Sequence, residues 1–151
     1  MISKRIAASV GVLGMTALLV AGGSQVASAN SVRTLNFTNV LDTLTPVDVA
    51  PAGPSAGDAF YVYSHVASGD VSGHTAASCV TVSVLDPGIK QCEVDFLTTR
   101  GTITTRGITN SVGAVVALVI TGGTGSYAGT FGEGTLTPTP TGSTVTLRVR
   151  R

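Results

Sequence analysis

From Asn30 onward the chain alternates apolar and polar residues with period two, and no stretch keeps the three-to-four spacing of an amphipathic helix. Clusters of turn-forming residues interrupt this alternation every ten or so positions. Examples are Ser68-Gly69-Asp70, Asp86-Pro87-Gly88, Thr109-Asn110-Ser111, Gly122-Gly123 and the run from Pro138 to Gly142. Eight strands are predicted, at roughly 32–41, 58–67, 75–85, 90–98, 101–108, 113–121, 126–137 and 142–150. In the last of them Val145, Leu147 and Val149 share one face, while Thr144, Thr146, Arg148 and Arg150 share the other. In the fourth, Cys92, Val94 and Phe96 oppose Glu93 and Asp95. One apolar and one wet face per strand is the pattern of an antiparallel closed barrel or a sandwich, so the fold class is all-β.

Three stretches depart from simple alternation. In the second strand Phe60, Val62, Ser64 and Val66 oppose Tyr61, Tyr63 and His65. The first set is read as facing the interior; the reverse register would instead line it with phenol and imidazole groups able to move protons. In the sixth, Val115 to Ile120 is apolar on both faces, so a second cover is expected, and 113–121 is read as a subunit contact. The segment 42–57 carries Pro46, Pro51, Pro54, Gly53 and Gly57 and is read as a rim loop over the barrel mouth.

Composition narrows the function classes. Lys4 and Arg5 precede an apolar run from Ile6 to Gly23, and Ala27-Ser28-Ala29 supplies a small-residue cleavage pattern. Residues 1–29 are therefore expected to be a secretory signal peptide, leaving 30–151 as one extracellular domain. Loss of Lys4 and Arg5 leaves seven of the nine basic residues against eight acidic ones, a balance with no footprint for nucleic acid or an anionic membrane. Cys79 and Cys92 are the only cysteines, and in an oxidising space a disulfide is the default. A two-residue turn at Pro87-Gly88 would, however, set Cys79 opposite Phe96 and Cys92 opposite Ser83. The bond then needs a bulge or a longer loop, and two free thiols are the alternative.

The run Ile120 to Gly132, ITGGTGSYAGTFG, resembles the allene oxide cyclase and dirigent protein barrels. So do Gly69-Asp70 followed by Gly73, Thr75-Ala76 and Cys79-Val80, and the spacing of Phe96, Gly101, Ile103 and Gly107. The resemblance covers nearly all of the chain after the leader. It implies an eight-stranded antiparallel closed β-barrel, calycin-like in outline, assembled as a trimer and needing no metal or organic cofactor. Allene oxide cyclases close a fatty-acid epoxide, and dirigent proteins orient phenoxy radicals for coupling. Carried over by position, Cys79 matches a cysteine at the cyclase pocket and Asn39 its water-positioning asparagine, while Asp42 stands for the dirigent acidic residue. The cyclase glutamate falls on Phe37, and the dirigent arginines fall on Ala128 and Phe131. Phe37, Phe60, Val62, Val94, Phe96, Tyr127 and Phe131 are the expected ligand-lining residues.

Other chemistry has weaker support. His65 and His74 are too few and too separated for a zinc site. Glu93 and Asp95, about 7 Å apart along one strand face, read as solvated acids before they read as a glycosidase pair. No G-x-S-x-G elbow is present, and Gly122-Gly123-Thr124-Gly125 lacks the lysine and helix of a phosphate loop. Alanines 59, 67, 76, 77, 114 and 117 leave room that larger residues would fill. The expected function is a secreted barrel that binds a small hydrophobic molecule and steers its cyclisation or coupling. The alternative is a non-catalytic extracellular barrel, ligand-binding or structural.

Overall fold

The computed structural model describes residues 31–85, 88–110 and 113–151; the expected leader, 1–29, lies outside the described residues. Among these residues the strands are β1 (Val32–Val47), β2 (Ala59–Gly69), β3 (Gly73–Ser83), β4 (Ile89–Thr98), β5 (Gly101–Thr109), β6 (Val116–Gly123), β7 (Phe131–Thr139) and β8 (Gly142–Arg150). Each pairs antiparallel with its neighbours in sequence, and β8 returns to β1, so the sheet closes into an eight-stranded barrel. The closing ladder runs from Val32 opposite Arg150 to Val40 opposite Gly142.

The two ends of the barrel are filled differently. Towards the end where β1 begins, inward Leu35, Phe37, Phe96, Ile103, Leu118 and Leu147 form a continuous buried core. Phe37 and Phe96 meet edge to face with ring centroids 5.3 Å apart, a geometry that adds quadrupole attraction to apolar burial. Below them Tyr127, on a 3-10 turn at Gly125–Tyr127, is buried and plugs this end. Gly101 lets the plug seat: its φ is 130°, and a Cβ there would strike the Thr124 carbonyl oxygen.

The two largest boundary shifts, in β1 and β7, each have a physical reason. β1 continues to Val47, so the irregular rim segment begins at Asp48 rather than Asp42. Beyond Leu41 this arm pairs with β2 alone, from Thr43 opposite Tyr63 to Val47 opposite Ala59. An edge tolerates Pro46, whose missing N–H would break a ladder paired on both sides. β7 begins at Phe131 instead of 126, because Gly125 and Gly129 hold positive φ and turn the chain before it extends. At β6 and the residue before it the doubly apolar run resolves by side: Leu118 and Ile120 are buried inside, whereas Val115 and Val119 stand exposed outside.

Phe96→Ala is expected to cost about 3–5 kcal/mol of unfolding free energy. Phe131→Ala, whose ring is 47 % exposed, is expected to change stability by less than about 0.5 kcal/mol. Denaturant titration of both variants checks this, and similar losses would contradict the placement of the two rings.

Candidate functional site

At the end opposite the aromatic plug the inward side chains are too small to meet, and a cavity of about 280 Å³ remains. Phe60, Val62 and Ala77 on β2 and β3 form one wall, with Val94, Val116 and Leu136 on β4, β6 and β7 across from them. Leu41, Leu44, Pro138 and Pro140 border the mouth. Among the described residues that line it there is no Asp, Glu, His, Lys or Arg.

The floor is polar on one side. Ser143 on β8, Asn39 on β1, Ser64 on β2 and Thr75 on β3 occupy inward positions on four successive strands, and all four are buried. Ladder pairing sets Asn39 opposite Ser143 and Ser64 opposite Thr75. Asn39 Nδ2 donates to Ser143 Oγ at 3.3 Å, while Asn39 Oδ1 and Thr75 Oγ1 have no hydrogen-bond partner. Period-two counting back from Val149 through Leu147 and Val145 places Ser143 inward. Small hydroxyl residues are nevertheless common on both faces of strands, so alternation alone does not mark Ser143, Ser64 or Thr75 as site residues.

Cys79 and Cys92 stand directly opposite each other on β3 and β4 and form a disulfide that lines the cavity. The bond exists because the connection from Ser83 to Ile89 is longer than a two-residue turn and the ladder is irregular between Thr81 and Ser83. Cys79 therefore carries no thiol for catalysis, and its side chain forms part of the cavity wall. Asp42 is outside the cavity, paired with His65 Nδ1 at 2.7 Å on the barrel exterior. Of the expected ligand-lining residues, Phe60, Val62 and Val94 border the cavity. Phe37, Phe96 and Tyr127 are buried in the core beneath it, and Phe131 points outward because the turn at Gly129 resets the alternation of β7. Of the six alanines, Ala77 and Ala114 line this cavity.

Tyr61 and Tyr63 are exposed, and Tyr63 stacks on His74 outside the barrel at 5.2 Å. Glu93 faces out and pairs with Arg106 at 2.9 Å, which leaves no inward carboxylate pair. Among the described residues no group of three or more His, Cys, Asp or Glu side chains could hold a metal ion.

A second, more open hollow of about 500 Å³ lies at the rim between the 46–60 segment and the β3–β4 ends, and Phe60 borders both spaces. Asp58 organises this rim. Its carboxylate accepts from the backbone N–H of Ser55 at 2.7 Å, from that of Val49 at 3.0 Å and from Ser55 Oγ at 2.9 Å. The backbone bonds from Ser55 and then Val49 hold the Asp58 carboxyl below its ordinary range. A depressed carboxyl stabilises the fold above the ordinary carboxylate range and loses that contribution as pH falls through its lowered value. The clamp is thus expected to hold at neutral and mildly acidic pH and to open only in strong acid. The amide resonances of Val49 and Ser55, followed by NMR on lowering the pH, check this. Movement of both amides between pH 7 and 5 would contradict it.

No protein-family profile matches the chain, and no curated protein matches it. Solved structures do. A pyocyanin demethylase aligns at 25 % identity with a TM-score of 0.69, covering 78 % of this chain and 99 % of that one. An exo-specific intermolecular Diels-Alderase aligns at 17 % identity with a TM-score of 0.58, covering 80 % and 99 %. A pterocarpan synthase dirigent protein aligns at 14 % identity with a TM-score of 0.51, covering 82 % and 93 %. The likeness spans the whole barrel in each case, so this chain has the closed-barrel fold that dirigent proteins and Diels-Alderases also use.

Proposed function

We propose that the barrel binds a small, largely apolar molecule in the 280 Å³ cavity and steers its cyclisation or coupling by confinement. The observation that carries this reading is a largely apolar space whose lining, among the described residues, holds no ionisable side chain. Such a site has no strong acid or base to offer, but it can hold reacting atoms in one geometry, and well-oriented intramolecular reactions gain several kcal/mol of barrier from that alone, roughly 7–11 in favourable cases. The fold's use by Diels-Alderases and by a dirigent protein supports the same chemistry, and the pyocyanin demethylase supports a small-molecule substrate. The epoxide chemistry of allene oxide cyclases is less well served, since Phe37 stands where those enzymes keep a glutamate and is sealed in the core.

A purely structural barrel would fill both ends with its own side chains. Here one end is filled and the other is not. The cavity-lining disulfide suits an oxidising compartment and so supports secretion. Exposed Ile108, Val115 and Val119 form an outward apolar strip on and beside β5 and β6, which supports the expected subunit contact, the trimer itself coming from the resemblance; sedimentation as a monomer at high concentration would remove both.

Thermal denaturation in the presence of phenylpropenols, fatty-acid epoxides or polyene lipids tests the binding step. A ligand at a hundred times its Kd stabilises by about 2.7 kcal/mol, which raises Tm by several degrees for a domain of this size. Ala77→Phe, which fills the cavity, is expected to abolish the shift while preserving the fold. No ligand-dependent shift with any of these classes would overturn the reading.

A further inference from the structure

We infer that the cavity selects a neutral ligand whose buried end carries a hydroxyl group, seated on the arc formed by Ser143, Asn39, Ser64 and Thr75. This rests on the ligand-binding reading above and names the substrate class it implies. The arc is one-sided: its four polar residues lie on β8, β1, β2 and β3, and the facing residues Val94, Val116 and Leu136 are apolar. A bound molecule is therefore oriented, with its polar end on the arc and mostly apolar walls around the rest, where Thr109 and Thr139 are the other hydroxyl residues of the described lining.

The arc is also incompletely satisfied. Asn39 is 1 % exposed and Thr75 3 % exposed, yet Asn39 Oδ1 and Thr75 Oγ1 lack partners. Turning the Asn39 amide over would exchange its oxygen and nitrogen and still leave one of them unpaired, because Ser143 Oγ serves only one. Buried polar groups without partners are destabilising, so their presence together at one cavity floor points to a partner that arrives from the cavity. A hydroxyl both donates and accepts. It can give its proton to Asn39 Oδ1 or take one from Thr75 Oγ1, whereas a hydrocarbon can do neither and an ether only the second.

Charge is excluded by the same floor. A carboxylate there would be buried without a cation among the described lining residues, since Lys90 borders the rim hollow and not the cavity. A resident water is the competing occupant, and it would leave the site indifferent to the ligand's own polar group.

Calorimetric titration of the folded barrel with 2-naphthol, its near-isostere 2-methylnaphthalene and 2-naphthoate separates these cases. The expected result is that 2-naphthol binds at least about tenfold more tightly than 2-methylnaphthalene, the size of one lost hydrogen-bonding group, and that 2-naphthoate binds most weakly. Asn39→Leu and Thr75→Val are each expected to shrink the naphthol preference several-fold without weakening 2-methylnaphthalene. Thr75→Val, nearly isosteric, keeps the test alive if Asn39→Leu fails to fold. Equal or tighter binding of 2-methylnaphthalene, or a preference that survives both substitutions, overturns the hydroxyl assignment while leaving the apolar cavity reading intact. Binding of none of the three overturns both.

Discussion

The return of β8 onto β1 is the constraint from which the rest follows. The ladder from Val32 opposite Arg150 to Val40 opposite Gly142 joins the two edges of the sheet, leaving only the β1 arm beyond Leu41 paired on one side, and fixes an interior of set width. Once that width is fixed, side-chain volume decides what the interior becomes. Where Phe37, Phe96 and Tyr127 point inward it is solid; where Val62, Ala77, Val94 and Val116 point inward it is hollow. The same architecture thus yields a plug at one end and a binding space at the other.

Much of this was legible in the sequence because a strand has only two faces. The alternation in β8 and β4 separates Val145, Leu147 and Val149, and Cys92, Val94 and Phe96, from their solvent-facing neighbours, and the barrel bears this out. The eight strands and the closed antiparallel architecture are both found. What escaped was register, which period-two patterning does not encode. A longer connection after Ser83 and a ladder irregularity beside Thr81 bring Cys79 opposite Cys92, and the turn through Gly125 and Gly129 sends Phe131 outward. The extension of β1 through Pro46 escaped because proline reads as a break unless one side of the strand is known to be unpaired.

The site was harder to read than the fold for a related reason. Depth along the barrel axis, and not only facing, separates a cavity wall from core filling. Phe37 and Asn39 face the same way on β1, yet one lies in the plug and the other on the cavity floor. Asn39 was singled out by resemblance, whereas Ser64, Thr75 and Ser143 became visible only when ladder pairing placed them side by side. Their grouping gives the cavity a polar side and an apolar side, and so a direction in which a ligand must lie.

The central claim is that a small apolar molecule enters the hollow end and not the plugged one. Intermolecular NOEs between 2-naphthol and assigned methyl groups test it most directly. The account predicts contacts to Val62, Ala77, Val116 and Leu136, and none to Leu35, Ile103 or Val149. Contacts confined to outward methyls such as those of Val80 and Val119, or to the plug, would contradict it.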